Sequence, residues 1–358
     1  MKLSLQNFFP VFPTLTAAVI LAAGLILFSG CYVLRQGTTM LGYLSGAVPL
    51  EDIAERETSS EEDRRFVERI QDIRRFASGE LGLAVNSNYT KYVELERDYL
   101  AAVVSASAKD SFTRHEWWFP VTGSVPYKGF FNEEDAREEA LCLKEKDMDV
   151  WVRRVDAFST LGWFSDPLYS YMKKYSVWRL ANLIIHEQLH ATVYIKGNSQ
   201  FNEQLAEFVG TEGSRLYMEK TFGLDSPEYA AMMNQEADSA AYTGFIRGLV
   251  VELETLYVGT ESREEKLRKK EEIIAAAQKR FEENYAGTFR GENYRGFTRL
   301  PVNNAYLELF RLYHAKDDYL KDIYMRSGGD LKKFIDAAKN LNDDDSDFKA
   351  QLEKELGL

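Results

Sequence analysis

Residues 177–195 constrain the chain more than any other stretch of the sequence. They read VWRLANLIIHEQLHATVYI, and apolar residues occupy nearly every side of the first turns, which predicts a buried helix. Three polar residues are set into it, His186, Glu187 and His190. Positions i and i+4 share one face of a helix, so both imidazoles can bind one metal ion, and Glu187 can reach a water molecule on that ion. We therefore expect a metal centre on a buried helix.

The scarcity of histidine strengthens this interpretation. The chain has 358 residues but only four His and two Cys, and two of the four His occupy this spacing. Two Cys are too few for a zinc-finger or disulfide scaffold. A lone His on an apolar helix is usually structural, but a pair at i and i+4 with an intervening Glu favours a metal site.

The next segment supplies further ligands. Residues 197–213, GNSQFNEQLAEFVGTEG, predict a turn and then a second helix that begins near Asn202. A catalytic zinc site needs three protein ligands and one open position, and two His with one Glu are a common set. Glu203 is therefore the predicted third ligand of a single Zn²⁺. Glu207, one turn further, is predicted to accept the free ring N–H of a ligating His, and Asn202 is expected to support the ligands.

The remaining sequence predicts an α+β fold. A stripe of apolar residues over 60–78 predicts a helix, and residues 86–165 contain short segments rich in β-branched and aromatic residues, typical of strands. A helix capped at Asn132 interrupts them. From about residue 167 the chain is predicted to be mainly helical, and a polar connection over 343–347 leads to a final exposed helix. We expect one unit over 31–358, a small mixed sheet followed by a helical lobe.

The first thirty residues predict export. Residues 14–28 are mostly apolar but too short to cross the hydrocarbon core of a bilayer as a helix, which favours a signal peptide over 1–30. Ser29 and Gly30 before Cys31 resemble a bacterial lipobox, in which the Cys is acylated after cleavage. The alternative is an uncleaved membrane anchor. We expect a lipid anchor on Cys31 and a location on the periplasmic side of a bacterial cell envelope. Tyr32, which is not Asp, favours the outer membrane.

Net charge excludes one class of partner. The formal charge is −12, with no basic block, so the chain lacks the positive surface that nucleic-acid binding requires. A content of 45% hydrophobic residues allows a large core and excludes a mainly disordered chain.

The metal motif carries a family resemblance. His186-Glu187-x-x-His190 followed by Asn202-Glu203-x-x-x-Glu207 resembles the gluzincin metallopeptidases, although the gap between His190 and Glu203 is shorter and requires a tighter helix–loop–helix. The chain also resembles a family of bacterial lipoproteins described as putative aminopeptidases. This second resemblance rests on the stretches 31–37, 119–131, 156–167, 201–209 and 301–305. It implies a gluzincin-like fold, Zn²⁺, and peptide substrates that are hydrolysed by a water molecule with Glu187 as general base.

The resemblance also implies substrate-binding residues. Gluzincins place an edge strand before the metal helix, and residues 155–160, with Asp156, Ala157 and Phe158, occupy that place. An aminopeptidase needs an acid for the substrate ammonium group, for which Asp156 and Asp166 are the candidates.

An oxyanion donor is expected downstream of the metal helices. Tyr306 is favoured, and Tyr294 and His314 remain alternatives.

Two other functions stay open. The first is a zinc endopeptidase, whose cleft would be open at both ends. The second is a non-catalytic envelope lipoprotein that retains a peptidase fold, although the presence of Glu187 argues against it because a scaffold needs no general base.

Overall fold

The computed structural model describes residues 32–119, 123–156, 166–311, 319–342 and 347–358. Residues 32–47 belong to one compact unit, Met1–Ala47, and the others to a second, Val48–Leu358. The described part of the first unit contains a helix over 32–45, α1. Within the described ranges, no helix is both long enough and apolar enough to cross a membrane. The predicted signal peptide and Cys31 lie outside the described residues.

Among the described residues of the second unit, short strands form three small sheets. The strands are β1 (Val48–Pro49), β2 (Lys91–Val93), β3 (Ala101–Ala108), β4 (Trp117–Phe119), β5 (Gly123–Val125), β6 (Lys128–Phe130), β7 (Met148–Val155) and β8 (Leu168–Tyr169). The sheet orders are β1-β2-β8, β6-β3-β7 and β4-β5. β2 and β8 are parallel, and the other described pairs are antiparallel.

β3 is the central strand of its sheet because small and apolar side chains cover both of its faces. Its sequence AAVVSASA is buried along almost its whole length. It pairs with β7 from Ala101 opposite Val155 to Ala108 opposite Met148, and over a shorter stretch with β6. In the described part of the chain β7 is therefore an edge strand, and Asp156 follows directly after it.

Helices make up most of the second unit. They are α2 (Leu50–Glu55), α3 (Glu61–Gly79), α4 (Glu133–Glu145), α5 (Val177–His190), α6 (Ser199–Phe222), α7 (Pro227–Val258), α8 (Arg263–Thr288), α9 (Asn304–Arg311), α10 (Tyr319–Arg326), α11 (Leu331–Ala338) and α12 (Phe348–Leu356). Short 3₁₀ helices cover Ser170–Lys174 and Arg295–Arg299.

α3 supports the helix that carries the metal motif. It starts at a capping box, in which the Ser60 side chain accepts from the Asp63 N–H and the Asp63 side chain accepts from the Ser60 N–H. Its buried stripe includes Phe66, Ile70 and Ile73, as the periodicity predicts, and the helix packs against α5.

A large aromatic core lies further along the chain. Buried residues of α7, α8 and α9 meet in one hydrophobic cluster that includes Tyr242, Phe281 and Tyr306, and Trp151 of β7 packs against it. Because α9 packs on both β3 and β7, this cluster joins the helices α7, α8 and α9 to the sheet.

The predicted fold class is confirmed: the protein is mixed α+β, mostly helical, with small sheets. α4 begins after Asn132, whose side chain accepts from the Glu134 N–H, as predicted. The expectation of an exposed final helix is wrong in one respect, since α12 buries Phe348, Leu352 and Leu356. The predicted gluzincin-like fold remains a prediction.

Candidate metal centre

α5 holds its polar residues at the edge of the core. One side of the helix is buried because its buried residues recur at three- and four-residue steps. They include Leu180, Ile184 and Ile185. His186 and His190 lie on the other side, half-buried, one turn apart. Their Nε2 atoms are 3.2 Å from each other. The apolar side of α5 thus fixes the direction in which both imidazoles point.

A short connection brings the third residue to the histidines. α5 ends at His190, and the chain turns back through 191–198 into α6. Asn202, buried in the first turns of α6, accepts from the Ile195 N–H at 2.9 Å and donates to the Ile195 carbonyl at 2.8 Å. These two bonds clamp the connection onto α6. They show how the tight helix–loop–helix predicted for this gap is achieved.

Glu203 faces both imidazoles from α6. One carboxylate oxygen is 3.3 Å from Nε2 of His190, and the other is 3.6 Å from Nε2 of His186. Ligands at about 2.0–2.2 Å from a tetrahedral zinc ion lie about 3.3–3.5 Å from one another, so these separations match those of a zinc site. The ligand atoms of the three residues all lie within 4.8 Å of one another. The residues present therefore fit a divalent metal.

The charges of this group are strongly coupled. The hydrogen bonds from His186 and His190 hold the pKa of Glu203 far below its usual range. Burial opposes charge on His190, but the hydrogen bond with Glu203 raises the pKa of His190 overall. Burial raises the pKa of Glu187, with the charge of Glu203 adding to it. Glu187 is thus a carboxylate in a poorly solvated position beside the three candidate ligands, which suits it to accept a proton.

Comparison with known families assigns the chain. A family model described as "Putative aminopeptidase" matches residues 31–352, which is nearly the whole sequence. The chain belongs to this family. The search of the curated proteins found no match, and neither did the search of the solved structures. The predicted membership in a putative aminopeptidase family is thereby confirmed, and it supports a peptidase, whereas the bacterial lipoprotein and gluzincin aspects stay predictions.

Glu207 and Asn202, which are predicted to support the ligands of this aminopeptidase family member, both lie in the first half of α6. Glu207 lies on the exposed side of α6, one turn beyond Glu203, and its predicted hydrogen bond to a histidine stays a prediction. The Asn202 side chain is hydrogen-bonded to the backbone of Ile195, so the support predicted for the ligands would act through the connection over 191–198.

Tyr306, the favoured oxyanion donor, lies in the aromatic core. Its hydroxyl is hydrogen-bonded to that of Tyr242, and its ring packs edge-on against Trp151 at 4.7 Å between centroids. The hydroxyl is therefore part of a buried pair, and the predicted oxyanion role of Tyr306 stays a prediction. Tyr294 stacks on Tyr242 in the same core, at 4.2 Å. The third candidate, His314, lies outside the described residues.

Asp156 follows directly after β7, and its carboxylate forms an ion pair with Arg179 of α5. The edge strand predicted over 155–160 continues, beyond Asp156, outside the described residues and stays a prediction. The Arg179 guanidinium lies 3.8 Å above the ring of Tyr175, and the Tyr171 hydroxyl donates to the Asp156 carbonyl at 2.5 Å. Ala157 and Phe158 lie outside the described residues. The carbonyl of Asp166 accepts from the Tyr89 N–H at 2.8 Å.

Sequence reasoning missed two residues near this part of the protein. Arg179 precedes His186 by seven positions and so shares its face of α5, a relation that helical periodicity could have revealed. Tyr89 is buried and has a positive φ of 59°, and burial and then the charge of Glu187 raise its pKa. The only sequence signal for that conformation is the turn composition of residues 86–88.

Proposed function

We propose that the protein is a zinc-dependent aminopeptidase. The observation that carries the proposal is the set of separations among His186, His190 and Glu203, 3.2 to 3.6 Å, which match those of ligands on one zinc ion. A neutral imidazole with its proton on Nδ1 presents a lone pair at Nε2, so these three side chains can together bind one cation. Family membership supports the peptidase reaction.

Zinc, when bound, would supply Lewis acidity that polarises the substrate carbonyl and lowers the pKa of a water molecule toward about 7. Glu187 follows His186 on α5 and is half-buried beside the three ligands. Its carboxylate takes a proton from the attacking water as the new C–O bond forms. It then passes that proton to the amine nitrogen as the C–N bond breaks.

An endopeptidase remains a second candidate, and one observation favours it. Removal of single N-terminal residues requires an acid that binds the substrate ammonium group. The carboxylate of Asp156 is already neutralised by Arg179. An extended peptide could instead add to β7, which is an edge strand within the described residues, through backbone hydrogen bonds and without any requirement for a chain terminus.

Two substrate classes separate these readings. Aminoacyl-coumarins report release of an N-terminal residue, whereas internally quenched peptides with a blocked N-terminus report internal cleavage. Preference for the coumarins, with one zinc per chain and loss of activity in Glu187→Gln, supports the aminopeptidase. Cleavage of blocked peptides alone supports the endopeptidase. A wild-type chain with bound zinc that cleaves neither class would favour the non-catalytic reading.

We also propose that the protein acts in a bacterial cell envelope, anchored by a lipid on Cys31 and facing the periplasm. The support is the apolar segment 14–28 followed by Ser29-Gly30-Cys31. Metabolic labelling with a palmitate analogue tests it, with Cys31→Ala as the matched control. Label on the wild-type chain and none on the variant is the expected result, and equal labelling of both would remove the lipid anchor.

A further inference from the structure

α5 and α6 come very close to each other at Gly210. A Cβ atom placed at this position would lie 3.1 Å from the main-chain oxygen of Asn182 and 3.2 Å from Cβ of His186. Both atoms belong to fixed parts of α5, a backbone carbonyl and the first atom of a side chain. Neither can move aside by a change of rotamer, so a side chain at Gly210 must displace one helix relative to the other.

The position of Gly210 along α6 connects this contact to the metal group. Glu203 and Gly210 are seven residues apart and therefore lie on the same face of the helix. His186, which Gly210 touches, is one of the two imidazoles that Glu203 faces at 3.6 Å. The Asn202 clamp fixes the first turn of α6, and the contact at Gly210 fixes the helix two turns later. The separation of the two helices therefore sets the distance between carboxylate and imidazoles.

We propose that Gly210 is a positioning residue of the metal centre, whose missing side chain lets α6 approach α5 to the separation at which Glu203 reaches both histidines. This inference rests on the proposed function, because it assumes that the three side chains bind a metal ion.

The displacement expected from a side chain at Gly210 is comparable in size with the tolerance of metal–ligand distances. A contact of 3.1–3.2 Å forces the neighbour to give way by a few tenths of an ångström. Metal–ligand distances tolerate deviations of only about 0.2 Å. A displacement of this size at His186 therefore weakens metal binding. Loss of groups that orient metal ligands typically costs about 10–100-fold in affinity, and we expect Gly210→Ala to fall in this range.

Gly213 provides a matched control on the same helix. A Cβ atom there would lie 3.0 and 3.1 Å from two side-chain carbons of Ile185, and 3.1 Å from Cδ1 of Leu81. These atoms are methyl groups of apolar side chains, not main-chain atoms of α5 or atoms of a candidate ligand. Gly213→Ala therefore brings the same chemical change and the same gain in helix propensity, while its crowding falls on apolar side chains.

The experiment measures metal affinity in metal-free wild type, Gly210→Ala and Gly213→Ala. Zinc is titrated against a chromophoric chelator, and the visible absorption of bound Co²⁺ reports coordination geometry. Thermal unfolding of the metal-free chains measures the structural cost separately. We expect Gly210→Ala to lose about tenfold or more in zinc affinity and to change the Co²⁺ spectrum, while Gly213→Ala keeps both.

Three outcomes would overturn the inference. The first is wild-type affinity in Gly210→Ala, and the second is an equal loss in both glycine variants. The third applies if Gly210→Ala yields no folded protein. Glu203→Asp then draws the carboxylate back by one methylene group without changing the contact at Gly210, and undiminished zinc affinity in this variant would overturn the inference. Absence of metal binding by the wild-type chain would overturn the proposed function and this inference with it, whereas a failure confined to Gly210→Ala removes the inference alone.

Discussion

Two clusters of polar side chains in this protein differ in how their hydrogen-bonding and charged groups find partners. One joins the β3–β7 sheet to α8 and α9 through Asp149, Lys270 and Asn304. Lys270 is 2% exposed and forms an ion pair with Asp149, and it also donates to the Lys109 carbonyl at 3.1 Å. The Asn304 N–H donates to Asp149 at 2.9 Å, and the Asn304 amide donates to the Ala108 carbonyl at 2.9 Å.

In that cluster each donor faces an acceptor, so the protein alone satisfies it. In the candidate metal centre, by contrast, the potential ligand atoms of His186, His190 and Glu203 converge, and all three side chains are partly exposed to solvent. Complementary groups with little access to solvent lock two elements together. Convergent ligand atoms near the surface can in addition bind a cation from solvent. Access of ligand atoms to solvent, rather than polarity, therefore distinguishes the candidate binding site from the structural cluster.

The largest effect is expected at Glu187. We predict that Glu187→Gln lowers the rate of peptide hydrolysis by about 10²–10⁴-fold, because general acid–base catalysis contributes this much, while the bound metal is retained. Steady-state kinetics with elemental analysis checks both quantities. Glu219→Gln, on the exposed end of α6, serves as the control and should leave the rate unchanged. Full activity in Glu187→Gln would contradict the proposed mechanism.

The structural cluster should respond in stability rather than in activity. Lys270→Ala leaves the Asp149 carboxylate buried without its cation, which is expected to cost about 3–5 kcal/mol in the free energy of unfolding. Denaturant unfolding measures this loss. Lys279→Ala removes an exposed ammonium group of the same helix, paired with Glu283 at 3.8 Å, and should change stability by less than about 1 kcal/mol. Equal effects of the two substitutions would show that the buried pair has no special role.

Metal removal should lower the stability that the metal centre contributes without changing the stability that the Asp149, Lys270 and Asn304 cluster contributes. Zinc at about 100 times its dissociation constant is expected to stabilise the folded chain by about 2.7 kcal/mol, because it binds the folded state only. The same increment is expected in Lys270→Ala, since distant clusters act additively. Thermal unfolding with and without a chelator measures both increments. A metal increment that vanishes in Lys270→Ala, with the chain still folded, would show that the two clusters are coupled.

The smallest effect is predicted for the clamp at the start of α6. Asn202→Ala removes two buried hydrogen bonds and leaves the Ile195 backbone unsatisfied, which should cost about 1–3 kcal/mol of stability. It should also weaken zinc binding because Glu203 follows directly in the chain. Asn202→Asp keeps the acceptor for the Ile195 N–H but opposes the Ile195 carbonyl, so its loss of stability should be similar. Undiminished zinc affinity in both variants would limit the clamp to a structural role.

Much of the metal centre could be predicted because its information is local. His186, Glu187, His190 and Glu203 lie within 18 residues on two consecutive helices. Periodicity places the two histidines on one face, and the usual ligand set of a zinc site indicates Glu203 after a short connection. The same holds for α4, whose start is read from one capping residue, Asn132.

Contacts between distant parts of the chain could not be predicted in this way. The hydroxyl partner of Tyr306 is Tyr242, 64 positions earlier, and its ring neighbour Trp151 lies on a strand. Such packing depends on the whole core rather than on a motif. The pairing of Asp156 with Arg179 likewise depends on how the end of β7 meets α5. The closeness of the helices at Gly210 is invisible in a sequence that gives no interhelical distance.

The most direct test of the metal centre is the zinc content of the purified wild-type chain and of His190→Ala, measured by elemental analysis. His190 supplies one of the three converging atoms, with its Nε2 at 3.2 Å from that of His186. About one zinc ion per wild-type chain and almost none in a folded His190→Ala is the predicted result, since a site reduced to two protein ligands binds weakly. A wild-type chain without metal after incubation with zinc, or equal zinc in both proteins, would contradict the account.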